Sequence, residues 1–375
     1  MATPKLRFKE FGGDWKLSIL AEISNIVTGS TPATSKSEYY NGDFLFVSPA
    51  DIQENRYVEA TKTTLTKEGF NKCRHIPNNS ILFVCIGSTI GKIAQNKEIC
   101  ATNQQINAVI PNDDYVSDFL YLVLDKLAPN IKLTAGVQAV PLINKTEFGK
   151  TELFTPTFGE QTKIATFLSA VDAKIQQLTQ KHALLCQYKQ GMMQKLFSQQ
   201  IRFKADDGSE FGEWEELKFK EVIKIKYGKD HKKLDDGDIP VLGTGGIMRY
   251  VDSYLYDGES ILIGRKGTID KPQFISGKFW TVDTLFYTEI GEKILPKFAF
   301  QQLLLVNWLN LNEATGVPSL NTTSIGNIEL KVPCLEEQTK IANFLSAIDQ
   351  KIDVVAQQIE QAKQWKKGLL QQMFV

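Results

Sequence analysis

The chain has 375 residues, 42% hydrophobic and 23% charged, with 43 basic residues balancing 43 acidic ones. That length allows two or three domains with proper cores, and the apolar and aromatic content excludes a disordered chain. A net charge of zero excludes coating of nucleic acid by bulk charge, while leaving room for local basic patches.

The opening segment, MATPKLRFKEFGGDW, contains no apolar stretch that could serve as a signal-peptide core. The nearest approach to a membrane span, FAFQQLLLVNWL (298–309), is short and interrupted by Gln and Asn. Five cysteines (Cys73, Cys85, Cys100, Cys186 and Cys334) stand at irregular spacings. An odd, scattered set fits reduced thiols in a cytoplasm better than a disulfide framework.

Residues 15–156 contain short β-type runs, DFLFVSP (43–49), SILFVCIG (80–87) and NAVIP (107–111), divided by the turn-forming TGSTP, YYNGD and IPNNS. A helix is predicted near SDFLYLVLDKL (117–127). GSTIGKI (87–93) resembles a phosphate loop only superficially: three residues separate Gly87 from Gly91, and Ile93 occupies the magnesium-binding Ser/Thr slot. It is predicted to be a turn between strands.

A long helix follows. Apolar residues fall at Ile164, Leu168, Val171, Ile175, Leu178, Leu185, Met192 and Leu196, alternating steps of four and three, with His182 and Lys189 as interruptions. That is a coiled-coil seam. Thr157 and Glu160 have the spacing of a capping box after Pro156. Run from the Glu to the final Phe, the helix would be roughly 55 Å long at 1.5 Å per residue.

The second block, 214–333, reads as strands IPVLGTGGI (239–247), SILIGRKG (260–267), WTVDTLFYTEI (280–290) and IELKVP (328–333), with a helix over KFAFQQLLLVNWLN (297–310). A second seam then runs through Ile341, Leu345, Ile348, Ile352, Val355, Ile359, Ala362, Leu369 and Met373, with Lys366 in the slot of Lys189. Both blocks are expected to be α+β domains of similar plan.

The two halves repeat. EQTKIATFLSAVDAKI (160–175) returns as EQTKIANFLSAIDQKI (337–352), 177 positions later with three letters changed. AVPLINKTEFGKTELFTP (139–156) matches GVPSLNTTSIGNIELKVP (316–333), and KQGMMQKLF (189–197) matches KKGLLQQMF (366–374). Upstream, RFKEFGGDW (7–15) echoes RFKADDGSEFGEW (202–214), but Trp15 precedes Glu160 by 145 residues and Trp214 precedes Glu337 by 123. Each half is thus a variable block and a nearly constant tail, with the tails sharing one task. Nearly identical seams favour pairing of the two helices within one chain over a homodimer zipper.

Nothing in the residues points to catalysis. His75, His182 and His231 are dispersed, Cys73 and His75 lack a second pair for zinc, and GTGG (243–246) is too short for a dinucleotide loop. No nucleophile signature occurs, and carboxylates such as Asp51 and Asp283 have no evident partner. What remains is recognition by Gly-, Thr-, Ser- and Lys-rich loops. Candidate DNA contacts are Ser30, Thr31, Ser88, Thr89, Lys92, Gln104 and Gln105 in the first block. In the second they are Tyr227, Lys229, Lys232, Thr244, Arg265 and Lys266. Gln can bond adenine in two places, Arg and Lys can bond guanine, and Gly turns let backbone amides approach phosphates. A solvated turn uses the same residues.

The phrase Pro-x-x-x-x-Glu-Gln-x-x-Ile-Ala-x-x-Leu, at Pro156–Leu168 and Pro333–Leu345, resembles that of the specificity subunits of type I restriction-modification systems. IPVLGTGGI, ILIGRKGTI and FWTVDTLFY resemble one of that family's recognition-domain types. The resemblance covers nearly the whole chain. It implies target-recognition domains at 1–156 and 201–333, and conserved helices at 157–200 and 334–375 that pair antiparallel with pseudo-two-fold symmetry. Each domain would then read one half of an asymmetric bipartite site in double-stranded DNA. Two methyltransferase subunits and separate restriction-translocase subunits would be partners, bringing S-adenosylmethionine, ATP and Mg, with no cofactor on this chain. A coiled-coil scaffold that binds proteins is the alternative.

Overall fold

The computed structural model describes residues 3–53, 55–136 and 140–375; Ala139, which opens the repeated AVPLIN segment, lies outside them. Two compact units form. One comprises Met1–Leu178 with Gln358–Val375, the other Thr179–Gln357. Each long helix, Phe158–Phe197 and Leu335–Met373, therefore gives one end to each unit.

In the first unit the strands are β1 (Lys16–Ile19), β2 (Ser24–Thr28), β3 (Tyr40–Val47), β4 (Tyr57–Val58), β5 (Thr63–Leu65), β6 (Ile81–Val84), β7 (Ile93–Asn96), β8 (Ala101–Thr102), β9 (Ile106–Pro111) and β10 (Glu152–Thr155). They build a five-stranded sheet β2-β9-β6-β7-β4, a three-stranded sheet β5-β3-β8 and the ribbon β1-β10. The apolar run Ile81–Val84 is buried at every position, as a central strand covered on both faces requires. The helix Ser117–Leu133 packs into one core with Phe83, Val109 and Phe148. That core also takes Ile164, Leu168 and Val171 from the first long helix, and Leu369 and Met373 from the second.

The second unit repeats the plan with β11 (Glu215–Lys218), β12 (Ile223–Tyr227), β13 (Ile239–Gly243), β14 (Gly246–Val251), β15 (Tyr256–Asp257), β16 (Ser260–Gly264), β17 (Gln273–Ile275), β18 (Lys278–Thr281), β19 (Leu285–Ile290) and β20 (Glu329–Val332). Its sheets are β12-β19-β16-β17, β14-β13-β18-β15 and the ribbon β11-β20. In each unit one sheet contains a matching parallel pair, β3 with β8 and β13 with β18. The expected single strand WTVDTLFYTEI is two strands, because Leu285 N turns back to the Val282 carbonyl at 3.0 Å. The expected helix over 297–310 stops at Leu303, followed by a 3-10 turn at Trp308–Leu311.

The repeated Glu-Gln pair fastens each helix to its block. Glu160, expected to close a capping box with Thr157, instead accepts bonds from Arg7 Nε (2.8 Å) and Nη2 (2.7 Å). Glu337 accepts from Arg202 at 3.1 and 2.7 Å, and from Trp214 Nε1 at 3.0 Å. Both glutamates are essentially buried, at 1% and 0% exposure. Gln161 accepts from Val116 N (2.9 Å) and donates to the Pro156 carbonyl (3.0 Å); Gln338 does the same with Leu295 N (2.7 Å) and Pro333 (2.8 Å).

The seams pack antiparallel inside each unit. In the second, Met193, Leu196 and Phe197 share a core with Ile341, Leu345 and Ile348, and Lys189 pairs with Asp349 at 2.7 Å. In the first, Lys366 pairs with Asp172 at 2.7 Å, and Trp365 meets Phe167 edge-on at 6.0 Å. The two lysines that interrupt the apolar pattern thus each meet an aspartate of the opposing helix.

Candidate nucleic-acid interface

Three loops meet in each unit, held by the same backbone bonds. After β2, Ser30 N donates to the Thr102 carbonyl (2.9 Å); after β12, Lys229 N donates to the Thr281 carbonyl (2.8 Å). After β6, Cys85 N donates to Gln105 O; after β16, Arg265 N donates to Thr284 O, both at 2.8 Å. The third crossing is Gly87 N to Pro141 O and Gly267 N to Pro318 O, both at 2.9 Å. Gly87 and Gly267 sit at φ +94° and +88°, the left-handed region where a side chain is strained.

Close approach explains one glycine pair. A Cβ on Gly29 would lie 2.1 Å from the Asn103 carbonyl oxygen, and one on Gly228 would lie 2.0 Å from that of Val282. Only glycine lets these loops cross.

Equal backbones carry different side chains. Where the second unit has Arg265, Lys266, Asp283 and Thr284, the first has Cys85, Ile86, Gln104 and Gln105. Cys85 is buried, and desolvation pushes its thiol up to about 12, so it is an inert packing group. Arg265 is half-exposed, stacks over the Tyr227 ring at 5.5 Å and donates to the Asp283 carbonyl at 3.2 Å.

In the first unit Ser30, Thr31, Gln104 and Gln105 come together. Thr31 Oγ1 donates to Gln104 Oε1, Ser30 Oγ accepts from Arg74 N at 2.9 Å, and Gln105 Nε2 reaches the Ile86 carbonyl at 3.4 Å. Ser88 is exposed beside them and Thr89 half-buried in the same turn. Lys92 is placed differently: its ammonium donates to the Ile52 carbonyl at 2.9 Å. GSTIGKI is the predicted turn, joining β6 to β7.

In the second unit a cleft of about 750 Å³ is lined by Asp230, His231, Lys232, Thr244, Met248 and Asp283, among others. Of the expected residues, Lys232 and Thr244 line it, Lys229, Arg265 and Lys266 belong to the loops beside it, and Tyr227 ends β12 under Arg265. Asp230 accepts from Lys232 N at 3.0 Å, a bond that holds its carboxyl below the usual range. Ile247, Met248 and Tyr250 of β14 are half or more exposed, an apolar strip next to these polar groups.

The cleft also brings in Asp230, Asp283 and Thr284, of which the sequence had offered only Asp283, as a carboxylate with no evident partner. The segment that holds Gln104 and Gln105, TNQQ (102–105), is the structural counterpart of TVDT (281–284), which holds Asp283 and Thr284.

The sequence model of the type I restriction modification DNA specificity domain matches residues 12–185 and again 212–364. The chain belongs to this family. Among curated relatives, the specificity subunit of the type I restriction enzyme MjaVIII from Methanocaldococcus jannaschii is 26% identical, covering 97% of this chain and 94% of its own. The EcoprrI specificity subunit from Escherichia coli is 24% identical over 88% and 86%. The type I S subunit from M. genitalium has the same fold, with a TM-score of 0.70 at 18% identity over 100% and 99% of the two chains. A chain solved in work on assembly and conformational transition of a type I system gives 0.56 at 15% identity over 95% and 96%. The specificity subunit described here is accordingly a DNA-recognition component, non-catalytic itself, that assembles with other restriction-modification subunits and DNA. No helix among the described residues is long and apolar enough to cross a membrane.

Proposed function

We propose that each unit of this cytoplasmic subunit reads one half of an asymmetric bipartite DNA site, while the paired helices space the readers and dock two methyltransferase subunits. The observation that carries this reading is the three-loop frame built twice on matching backbone bonds but furnished with different side chains. Two unlike readers on one frame suit two unlike half-sites, as a dimer with one frame and one reader suits a palindrome. In the first unit the readers are Ser30, Thr31, Ser88, Gln104 and Gln105; in the second they are Tyr227, Lys229, Lys232, Thr244, Arg265 and Lys266. S-adenosylmethionine, ATP and Mg serve the partner subunits, which bring methyl transfer and cleavage.

The test is to form the complex of the full chain with methyltransferase subunits and map the methylated sites on genomic DNA. A bipartite motif is expected, with Gln104→Ala and Gln105→Ala relaxing one half alone. A scaffold that only binds proteins would yield methylation with no motif fixed by this chain.

A further inference from the structure

Arg265 and Asp283 stand together in the second unit with most of their bonding capacity unused. Arg265 has five N–H donors, and one nitrogen, Nη1, is engaged, on the Asp283 carbonyl at 3.2 Å. The guanidinium lies over the Tyr227 ring, its Cζ 5.5 Å from the ring centre, a cation–π contact that restrains it. The Asp283 carboxylate is exposed at the cleft and has no hydrogen-bond or ion-pair partner among the described residues.

An unpaired carboxylate on a DNA-binding surface is repelled by phosphates, so it is compatible with the duplex where it accepts a base amino group. Cytosine N4 in the major groove is the group that Asp and Glu read, and guanine O6 with N7 is the edge that Arg reads in two places. The two edges lie side by side in one base pair. The first unit supplies a second observation: at the same two backbone positions it has Cys85 and Gln104, so both residues are exchanged together between the two readers.

We infer that Arg265 and Asp283 jointly read one G·C base pair in the half-site of the second unit, Arg265 donating to guanine O6 and N7 and Asp283 accepting from the N4 amino group of its paired cytosine. This rests on the reading of the three-loop frame as a DNA interface.

The test uses the full chain in complex with methyltransferase subunits, a library of random duplexes, and sequencing of the bound fraction. Arg265→Ala, Arg265→Lys, Asp283→Ala and Asp283→Asn are compared with the unaltered chain, each checked for unchanged thermal unfolding. All four should relax the same G·C position, its preference dropping about 5- to 100-fold, with every other position intact. The two conservative variants keep size and fold, so a structural failure in the alanine variants does not shield the idea. Equal weakening on all sequences would mark Arg265 as a phosphate contact and overturn the pairing, as would relaxation of two different positions. If the unaltered complex selects no motif, the DNA interface itself falls, an outcome distinct from the loss of this base-pair assignment.

Discussion

A buried carboxylate is tolerable only beside a fixed cation, and Glu160 and Glu337 each have one arginine for that purpose. Arg7→Ala should destabilise the first unit, and Arg202→Ala the second, by about 3 kcal/mol each, read from denaturant unfolding of the full chain. Adding Glu160→Gln to Arg7→Ala should recover part of the loss, since the charge left behind is then removed. Asp125 is a residue of the opposite kind. Burial raises its carboxyl pKa, Asp172 adds to the effect, and Lys366 and Arg56 oppose it. The folded chain therefore holds that proton more tightly than the unfolded chain does. Its contribution to stability falls as pH rises from the ordinary carboxylate range through the raised folded value. Asp125→Asn should flatten this fall and raise the melting temperature at neutral pH, which calorimetry across a pH series would detect. Residue by residue, the interface was legible only in part. Gly, Gln and Arg announced loops, but the letters of GSTIGK could not show that the Lys92 ammonium donates to the Ile52 carbonyl. Asp283 was named only as a carboxylate without a partner, because it sat inside what read as one continuous strand.

At the scale of the element, the long helices were the most readable part of the chain. Apolar steps of four and three over some forty residues admit no strand, and each seam position is buried or half-buried in its unit. Lys189 and Lys366 looked like flaws in that pattern because their partners lie on the other helix, and register between helices leaves no mark on either alone. Each half-buried lysine meets an aspartate from the repeated phrase. Such pairs penalise slippage more than they add stability. Lys189→Glu should set two carboxylates against each other and lower the unfolding free energy by about 1–3 kcal/mol. Adding Asp349→Lys should restore most of it, a coupling that a double-mutant cycle would measure.

For the whole molecule, the proposed spacing role makes a quantitative demand. Inserting one heptad in both long helices keeps the seam in phase and adds about 10 Å of rod. The non-specific gap in the methylated motif should grow by roughly three base pairs at 3.4 Å each, with both half-sites unchanged. Altered half-sites in the mapped motif would remove the helices from that role. The duplication itself could be read from the letters, but its exact correspondence could not, since the offset between matched residues shifts within each half. Backbone bonds extend it: Leu6 N on Gln372 O matches Ile201 N on Lys195 O, carrying the match one residue upstream of the two RFK segments.

The loop frame has one more implication. Because Ser30, Cys85 and Gly87, like Lys229, Arg265 and Gly267, are joined through main-chain atoms, the three crossings are the same in both units while the outward side chains around the fixed glycines differ. An exchange at an outward position such as Gln104 or Lys266 should therefore leave the crossings standing. The frame is tolerant of those outward letters and strict about its glycines.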